Sequence, residues 1–267
     1  MQGALQGRVL VICPHFDDAC FSVGGLLLQK TFQEVTILTV FSKSKHAPHS
    51  KKLYPVIRTI NALEASFLTE LVAKIVSKER QKEDHRFCGS IGAIQTILPF
   101  EDSSMRLPIG LGVKNDKDAE KEPIYGRVLK SLTKIVSSGR HDLILCPLAV
   151  GNQIDHLIVL KALLQIIRNE TISTEILFYE DLPYSSNYTL YKISKLAIER
   201  IGSSDPINVC ITDEMPMKQI LCNKYHTQWT AFAKQKILYH NRRLHRPSDS
   251  KNKTVGYCER FWRFKPP

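Results

Sequence analysis

Two short segments of this sequence combine side chains that bind divalent metal ions. Pro14-His15-Phe16-Asp17-Asp18 directly follows an apolar run, and a second loop ends in Asp155-His156. Two imidazoles and one carboxylate are a recurrent ligand set in catalytic metal sites, where a fourth position stays open for water. His15, Asp18 and His156 are therefore candidate ligands, with zinc as the preferred ion and iron as the alternative.

The apolar runs before these segments predict how distant residues could meet. Residues 8–13 and 143–147 are continuous apolar runs with β-branched side chains, which is typical of buried parallel strands. Loops that follow parallel strands gather at the carboxyl edge of the sheet, where ligands usually bind. Two neighbouring strands would therefore bring both polar segments to one edge.

Each segment also has a purely structural interpretation. Asp17 or Asp18 could cap the helix that follows, with His15 in a surface turn. Asp155 could cap the next helix in the same way, which would leave His156 merely in its first turn. A chance match in both loops is much rarer than a match in one, so the metal hypothesis is favoured.

Strand and helix patterns alternate along most of the chain. Three further strands are predicted at residues 35–41, 94–98 and 175–179. Helices are predicted at residues 18–31, 80–91, 123–138 and 155–168. This order predicts a Rossmann-like, three-layer α/β domain with a mostly parallel central sheet and the metal site at the carboxyl ends of its strands. Irregular loops are expected at residues 43–53, 101–121 and 240–254, as candidate walls or lids of the site.

The length and composition fit one folded domain. The chain has 267 residues, 43% of them hydrophobic and 24% charged, which is enough for a core without disulfide bonds. We therefore predict a single domain over residues 1–267. Seven cysteines form no CxxC pair, no apolar run is long enough to span a membrane, and no secretory signal is recognisable. These features predict reduced thiols, no membrane span and a cytoplasmic location.

Positive charge is concentrated near the C-terminus. The net charge is +11, and residues 234–265 contain ten lysines or arginines against two acidic residues. A basic segment over residues 234–267 with interleaved aromatic side chains could bind an anion or a nucleic acid. A solvated basic tail is the more common explanation, so we do not expect a nucleic-acid partner.

Several short motifs occur in the order found in one enzyme family. Residues 14–19 with Gly24-Gly25 match an apolar strand followed by His-Pro-Asp-Asp, and residues 147–159 match a later Gly-x-His-x-Asp-His pattern. Between them, residues 80–84 match an Arg-x-x-Glu-Asp helix and residues 102–106 match an Asp-x-x-x-Arg loop. Beyond them, residues 178–184 and 225–228 match two further segments. The sequence resembles the LmbE/PIG-L family of zinc-dependent N-deacetylases over nearly its whole length.

The resemblance implies a role for each matching residue. It implies that His15, Asp18 and His156 hold zinc and that Asp17 is the general base. Gln153 and Asp155 fall at the remaining catalytic positions. The candidate substrate-binding residues are Arg80, Asp102, Arg106, Tyr184 and His226. Structural alternatives stay open: salt bridges for both arginines, a core position for Tyr184, and a packed or surface position on an amphipathic helix for His226.

Two positions depart from the family pattern. Phe16 replaces the usual proline, which affects the turn but no chemistry. Gln153 stands where the family usually has a histidine that stabilises the oxyanion or assists the leaving group. A glutamine amide donates hydrogen bonds but carries no titratable proton, so Asp17 or another residue such as His226 would supply the acid. Asp155 would then cap its helix or bond the Gln153 amide.

The implied reaction is hydrolysis of an N-acetyl or other N-acyl group on an amino sugar, by metal-activated water with Asp17 as general base. The expected partner is a small-molecule amino-sugar conjugate, such as a glycoconjugate or natural-product precursor, and the basic C-terminal third mildly favours an anionic one. The sequence indicates no oligomeric state. Two alternatives remain open: a zinc-bearing sugar-binding protein weakened in catalysis by Gln153, and a basic nucleic-acid-binding protein of Rossmann-like fold.

Overall fold

The structure, a computed structural model, describes residues 7–46, 66–107, 116–245 and 256–265. Seven strands and eight α-helices lie in these ranges, together with two 3-10 helices at Asp116–Lys121 and Tyr184–Asn187. Their bounds are β1 Arg8–Cys13, α1 Asp18–Leu28, β2 Glu34–Thr39, α2 Ser66–Ile91, β3 Ile94–Ile97, α3 Ser103–Arg106, α4 Tyr125–Val136, β4 Leu143–Pro147, α5 Ile154–Asn169, β5 Glu175–Tyr179, α6 Leu190–Ile201, β6 Pro206–Cys210, α7 Met215–Cys222, α8 Ala231–Leu244 and β7 Cys258–Arg263.

The seven strands form one sheet in the order β3-β2-β1-β4-β5-β7-β6. The first five pair in parallel, and β7 runs antiparallel to both β5 and β6. Side chains of β1 alternate between two buried clusters, with Leu10 and Ile12 in one and Val9, Val11 and Cys13 in the other. Apolar side chains therefore cover both faces of the sheet, which explains the continuous apolar strands. The predicted α/β fold with a mostly parallel sheet is confirmed.

The path of the chain across the sheet switches direction between β1 and β4. From β1 the chain crosses to β2 and β3 on one side, and from β4 it continues to β5 on the other. The helices that follow β1 and β4 pack on opposite faces, because α1 contributes to the cluster of Val9 and α5 to the cluster of Leu10. Ligands of open α/β sheets usually bind at such a switch point, beyond the carboxyl ends of the strands.

Some predicted bounds need correction. α2 spans Ser66–Ile91 rather than beginning at residue 80, and Val72 and Val76, one helical turn apart, are buried and form its apolar face there. Residues 101–121 are not wholly irregular, since they contain α3 and the 3-10 helix at Asp116–Lys121. The rest of that loop, residues 108–115, and residues 47–53 of the first predicted loop lie outside the described residues.

The basic C-terminal segment is not a solvated tail. α8 extends to Leu244, so the predicted loop at residues 240–254 begins inside a helix, and residues 246–255 lie outside the described residues. β7 lies between β5 and β6, with Phe261 and Trp262 fully buried. Arg260 is also buried and donates a hydrogen bond to Glu180 at 2.5 Å. Part of the positive charge therefore neutralises a carboxylate inside the fold.

Glu259 of β7 ties the C-terminal strand to α1. Its carboxylate accepts the backbone N–H groups of Gly25 and Leu26 at 2.8 Å each, and Lys218 Nζ at 2.6 Å. A Cβ atom at Gly25 would approach Ile211 Cδ1 to 2.6 Å, so only glycine permits this approach. The glycine of the matched motif is therefore explained by close packing of α1 against the segment after β6.

No helix in the described ranges is both long enough and apolar enough to cross a membrane. All seven cysteines are free, as predicted, and Cys13 is buried in β1.

Removing the negative charge of Glu259 should destabilise the fold strongly. Glu259→Gln leaves the buried ammonium of Lys218 without an anion, and breaking a buried ion pair in this way costs about 3–5 kcal/mol. Urea denaturation of both proteins measures the loss in free energy of unfolding. Glu175→Gln is the matched control, because its ion pair with Arg263 is partly exposed and should contribute about 0–1 kcal/mol. Equal losses in the two variants would contradict the role of the buried pair.

Candidate active site

The three predicted metal ligands lie together at the carboxyl edge of β1 and β4. His15 and Asp18 follow β1, and His156 lies in the first turn of α5. One ligand atom from each residue lies within 4.8 Å of the others, and all three residues are buried. His15 Nδ1 is 3.5 Å from Asp18 Oδ2, and His156 Nε2 is 3.6 Å from Asp18 Oδ1. The structure thus brings together two segments that are far apart in the sequence.

The spacing of this group fits a divalent metal ion. Ligand atoms about 2.0–2.1 Å from a tetrahedral ion lie about 3.4 Å from one another. Here each imidazole nitrogen lies 3.5 or 3.6 Å from one of the two Asp18 oxygens, and one atom from each residue lies within 4.8 Å of the others. His156 Nε2 is buried and has no hydrogen-bond partner among the described residues. A buried polar atom without a partner is costly, and a metal ion would satisfy it. We refer to His15, Asp18 and His156 below as the ligand group.

A buried carboxylate holds the second nitrogen of each imidazole. His15 Nε2 lies 3.0 Å from Asp155 Oδ2, and His156 Nδ1 lies 2.6 Å from Asp181 Oδ1. If these nitrogens carry the protons, His15 Nδ1 and His156 Nε2 are left with lone pairs on the side of Asp18. Carboxylate partners of this kind are typical of metal-binding histidines, because they set the tautomer and the orientation of the ring.

Carboxylates dominate the electrostatics of the ligand group. Burial alone would lower the pKa of His15, but Asp155 and Asp18 raise it to about 10. The pKa of His156 is also raised, by Asp18 and Asp181, against the effect of burial. Burial would raise the pKa of Asp18, whereas the two imidazoles lower it. The site therefore attracts cations, whether these are protons or a metal ion.

Asp17 is held by an arginine of α2. Arg80 Nη2 donates to Asp17 Oδ1 at 3.1 Å, and Arg80 Nη1 donates to Ser44 Oγ at 3.0 Å. The same Nη1 atom lies 3.8 Å from Asp102 Oδ2. Asp17 occupies the N-cap position of α1, but its side chain makes no capping hydrogen bond. The capping interpretation of Asp17 is therefore wrong, and its carboxylate forms an ion pair with Arg80 instead.

Gln153, not Asp155, caps α5. Gln153 Oε1 accepts the backbone N–H of His156 at 3.0 Å, and Gln153 Nε2 donates to Ser103 Oγ and to Asp155 Oδ2, both at 3.0 Å. Asp155 also accepts Arg106 Nη2 at 2.9 Å and the backbone N–H of Ser103 at 2.8 Å. The alternative in which Asp155 bonds the Gln153 amide is the one observed.

Arg106 and Tyr184 are each one contact away from or next to a histidine of the ligand group: Arg106 bonds Asp155, which holds His15, and Tyr184 contacts His156. Besides its bond to Asp155, Arg106 lies 3.6 Å from Glu122 Oε2 and stacks 5.1 Å from the centre of the Phe41 ring. Both predicted arginines therefore form ion pairs with carboxylates. Tyr184 lies edge-on to His156, with ring centroids 5.6 Å apart, and it remains 36% exposed. It is consequently not a core aromatic, and it can form a wall of the site.

His226 lies in an exposed turn between α7 and α8 rather than on an amphipathic helix. Its ring makes no hydrogen bond within the described ranges. The flanking residues are buried: Tyr225 donates to Asp84 of α2 at 3.1 Å, and Thr227 Oγ1 donates to Glu83 at 2.6 Å. This segment therefore anchors the helix that carries Arg80, and the structure does not join His226 to the ligand group.

Sequence reasoning did not single out Asp181 and Ser103. Asp181 holds His156, and the backbone N–H of Ser103 bonds Asp155. The sequence did contain a signal for Asp181. The apolar run of β5 is followed directly by Glu180-Asp181, just as the apolar run of β1 is followed by a polar loop. Ser103 carried no comparable signal, since it acts through its backbone as well as its hydroxyl.

A family comparison adds to this geometry. The model of the PIG-L family, described as GlcNAc-PI de-N-acetylase, matches residues 10–167, which is more than half of the chain. The chain belongs to the PIG-L family. The resemblance seen in the motifs is thereby confirmed, and the protein is an enzyme of the de-N-acetylase class.

Individual relatives of this PIG-L protein are also deacetylases. The 2'-N-acetylparomamine deacetylase of Streptomyces fradiae is 28% identical over 244 residues, covering 89% of this chain and 79% of that protein. A deacetylase of the teicoplanin biosynthesis pathway superposes with a TM-score of 0.71 at 20% identity, covering 96% of this chain and 97% of that chain. A teicoplanin deacetylase in a zinc-inhibited form gives a TM-score of 0.68 at 20% identity with the same coverage. At these identities the two structures show a shared fold.

Metal affinity should rise with pH, because a metal ion must displace protons from the two histidines. His15, whose pKa is about 10, is protonated at neutral pH, so raising the pH removes a competing proton. We expect about a tenfold gain in affinity per pH unit for each proton displaced, between about pH 6 and about pH 9. Chelator competition with Co²⁺ measures the affinity, and calorimetry in buffers of different ionisation enthalpy counts the protons. An affinity that is constant over this range would refute the electrostatic account.

Proposed function

We propose that this enzyme is a metal-dependent hydrolase that removes an N-acetyl group from an amino sugar carried on a larger natural-product or glycoconjugate precursor. The observation that carries the proposal is the buried ligand group, in which His156 Nε2 has no hydrogen-bond partner among the described residues. The family supports N-deacetylation, and by their descriptions one relative deacetylates 2'-N-acetylparomamine and another belongs to the teicoplanin biosynthesis pathway.

Zinc is the ion that we propose for the ligand group. Two imidazoles and one carboxylate form a ligand set that zinc uses in catalytic sites, with one position left for water. When bound, the ion would act as a Lewis acid and lower the pKa of a water molecule towards neutrality. One structural neighbour is described as zinc-inhibited, so reconstitution should compare one equivalent of zinc with an excess.

Asp17 is the residue that we propose to move the proton. Its carboxylate would take a proton from the attacking water and return it to the departing nitrogen, which makes the amine a better leaving group. The hydrogen bond from Arg80 Nη2 at 3.1 Å fixes the orientation of this carboxylate. Because Asp17 is not a member of the ligand group, it stays available for the proton.

Gln153 fits a structural role better than a role in oxyanion stabilisation. A glutamine amide has two N–H groups, and here they are used by Ser103 Oγ and Asp155 Oδ2. We propose that Gln153 and Asp155 act by orienting His15 and the start of α5. The surrounding Arg80, Asp102 and Arg106 would hold the walls of the site, and Tyr184 would contact the sugar.

Two substitutions separate metal binding from proton transfer. His156→Ala should remove the metal and all turnover, whereas Asp17→Asn should keep the metal and lose about a hundredfold to ten-thousandfold in kcat. Metal content is measured by elemental analysis, and acetate release is measured on 2'-N-acetylparomamine and on an N-acetylglucosaminyl conjugate.

The controls are a histidine and an aspartate away from the site. His141 directly precedes β4 at the opposite edge of the sheet, and Asp205 is exposed beside Lys265. His141→Ala and Asp205→Asn should keep both metal and activity. Full metal content in His156→Ala, or full turnover in Asp17→Asn, would refute the corresponding assignment.

A sugar-binding protein with weakened catalysis remains the alternative, since the family histidine is absent at Gln153. The three hydrogen bonds of Gln153 indicate that the site is built around this residue. We therefore expect Gln153→His to give no gain in acetate release, and we expect a lower thermal stability because the cap of α5 is lost. A large gain in turnover would support the weakened enzyme instead.

A further inference from the structure

The loop between β4 and α5 has an unusual backbone conformation. Ala149 has φ 61°, Gly151 has φ 101° and Asn152 has φ 59°. Residues other than glycine rarely adopt this left-handed backbone conformation, and the side chain of alanine has no polar group that would favour it. Three positive φ angles within four positions are unfavourable for an unsupported loop. Contacts from outside the loop must therefore impose this conformation.

Arg200 of α6 supplies contacts on one side of the loop. Its Nη1 atom donates to the carbonyl oxygens of Leu148 at 2.9 Å and Ala149 at 2.7 Å, and its Nη2 atom donates to Asn152 Oδ1 at 2.6 Å. Arg200 is itself buried. A planar guanidinium with several fixed donors can span three acceptors in this way, which the single ammonium of a lysine cannot do.

Asp181 also holds the same loop. Asp181 Oδ2 accepts the backbone N–H of Val150 at 2.8 Å, and Asp181 Oδ1 lies 2.6 Å from His156 Nδ1. One carboxylate therefore bonds both the loop and a metal-ligand histidine. If the loop shifts, the hydrogen bond that orients His156 shifts with it.

The loop also packs against the wall of the site. A Cβ atom at Gly151 would lie 2.9 Å from Tyr184 Cβ, so the backbone there is in close contact with this tyrosine. Tyr184 in turn lies edge-on to His156, with ring centroids 5.6 Å apart. The position of the loop thus affects a ligand and a candidate sugar contact together.

We propose that Arg200 is a positioning residue of the metal centre: by clamping residues 148–152 it sets the orientation of His156 through Asp181 and the position of Tyr184 through Gly151. This inference rests on the proposed metal-dependent function. Arg200 acts on the loop, through its bonds to Leu148, Ala149 and Asn152. Its effect should therefore appear in metal affinity and ligand geometry.

Arg200→Lys tests the clamp, because it keeps the charge but loses the fork of donors. We expect the affinity for Co²⁺, measured by chelator competition, to fall about tenfold or more, as happens when groups that orient metal ligands are removed. The visible absorption of bound Co²⁺ should also change, since it reports coordination geometry. In the zinc-loaded enzyme we expect a lower kcat and a higher KM for 2'-N-acetylparomamine.

A matched control separates positioning from general destabilisation. Ile193→Ala removes a fully buried side chain from the same helix while leaving the guanidinium of Arg200 in place. We expect it to lower the melting temperature of the metal-free protein at least as much as Arg200→Lys does, with unchanged Co²⁺ affinity and absorption. If both variants lose affinity in proportion to their melting temperatures, Arg200 has only a structural role and the inference is wrong.

A second variant covers the case in which Arg200→Lys does not fold. Asn152→Gly removes one acceptor of the clamp, while glycine tolerates the left-handed backbone. We expect a several-fold loss of Co²⁺ affinity and an altered absorption band. Wild-type values in every one of these variants that folds would overturn the inference while leaving the metal site intact. Wild-type protein that binds no Co²⁺ would instead refute the proposed function on which it rests.

Discussion

Buried negative charge at one edge of the sheet is the constraint on which the site depends. Asp18, Asp155 and Asp181 are each at most 4% exposed, and they lie against the two imidazoles of the ligand group. An ionised carboxylate in the interior is costly unless a cation or several donors compensate it. Arg106 compensates the negative charge of Asp155, and Arg80 compensates that of the neighbouring Asp17. Neither of these two arginines forms an ion pair with Asp18 in the described part of the chain. The remaining charge raises the pKa of both histidines, and the same charge favours a divalent ion. The same buried carboxylates that favour protonation of the histidines would therefore also favour binding of a metal ion.

The topology of the sheet brings these charged residues together at one edge. Residues in the C-terminal part of the chain then hold them in position. Because the chain switches direction between β1 and β4, the two polar loops meet at one edge, where neither is covered by the next crossover. The family match ends at residue 167, yet several supports of the site lie beyond it. Asp181 orients His156, Arg200 clamps the loop after β4, and Tyr225 and Thr227 anchor the helix that carries Arg80. These residues beyond the family match thus support the site by positioning its side chains.

Local pattern was sufficient for the central strands and for the candidate ligands. β1 and β4 are buried on both faces, so their sequences are continuous apolar runs, and the loops after them reveal His15, Asp18 and His156. β7 could not be predicted in this way, because Glu259 and Arg260 interrupt its apolar pattern. Their charges are neutralised inside the fold by Lys218 and Glu180, which lie far away in the sequence. The role of Gln153 was hidden for a related reason: its three hydrogen bonds depend on the side-chain geometry of two separate loops. Pairing between polar groups that are far apart in the sequence is therefore the part of this structure that local sequence patterns cannot predict.

Anomalous X-ray diffraction from crystals grown with one equivalent of zinc tests the central claim most directly. Data collected on both sides of the zinc absorption edge locate the ion without reference to activity. The account predicts one strong peak per chain, about 2.0–2.2 Å from a nitrogen of His15, a nitrogen of His156 and an oxygen of Asp18. A peak bound by other residues, or no peak at this edge of the sheet, would contradict it.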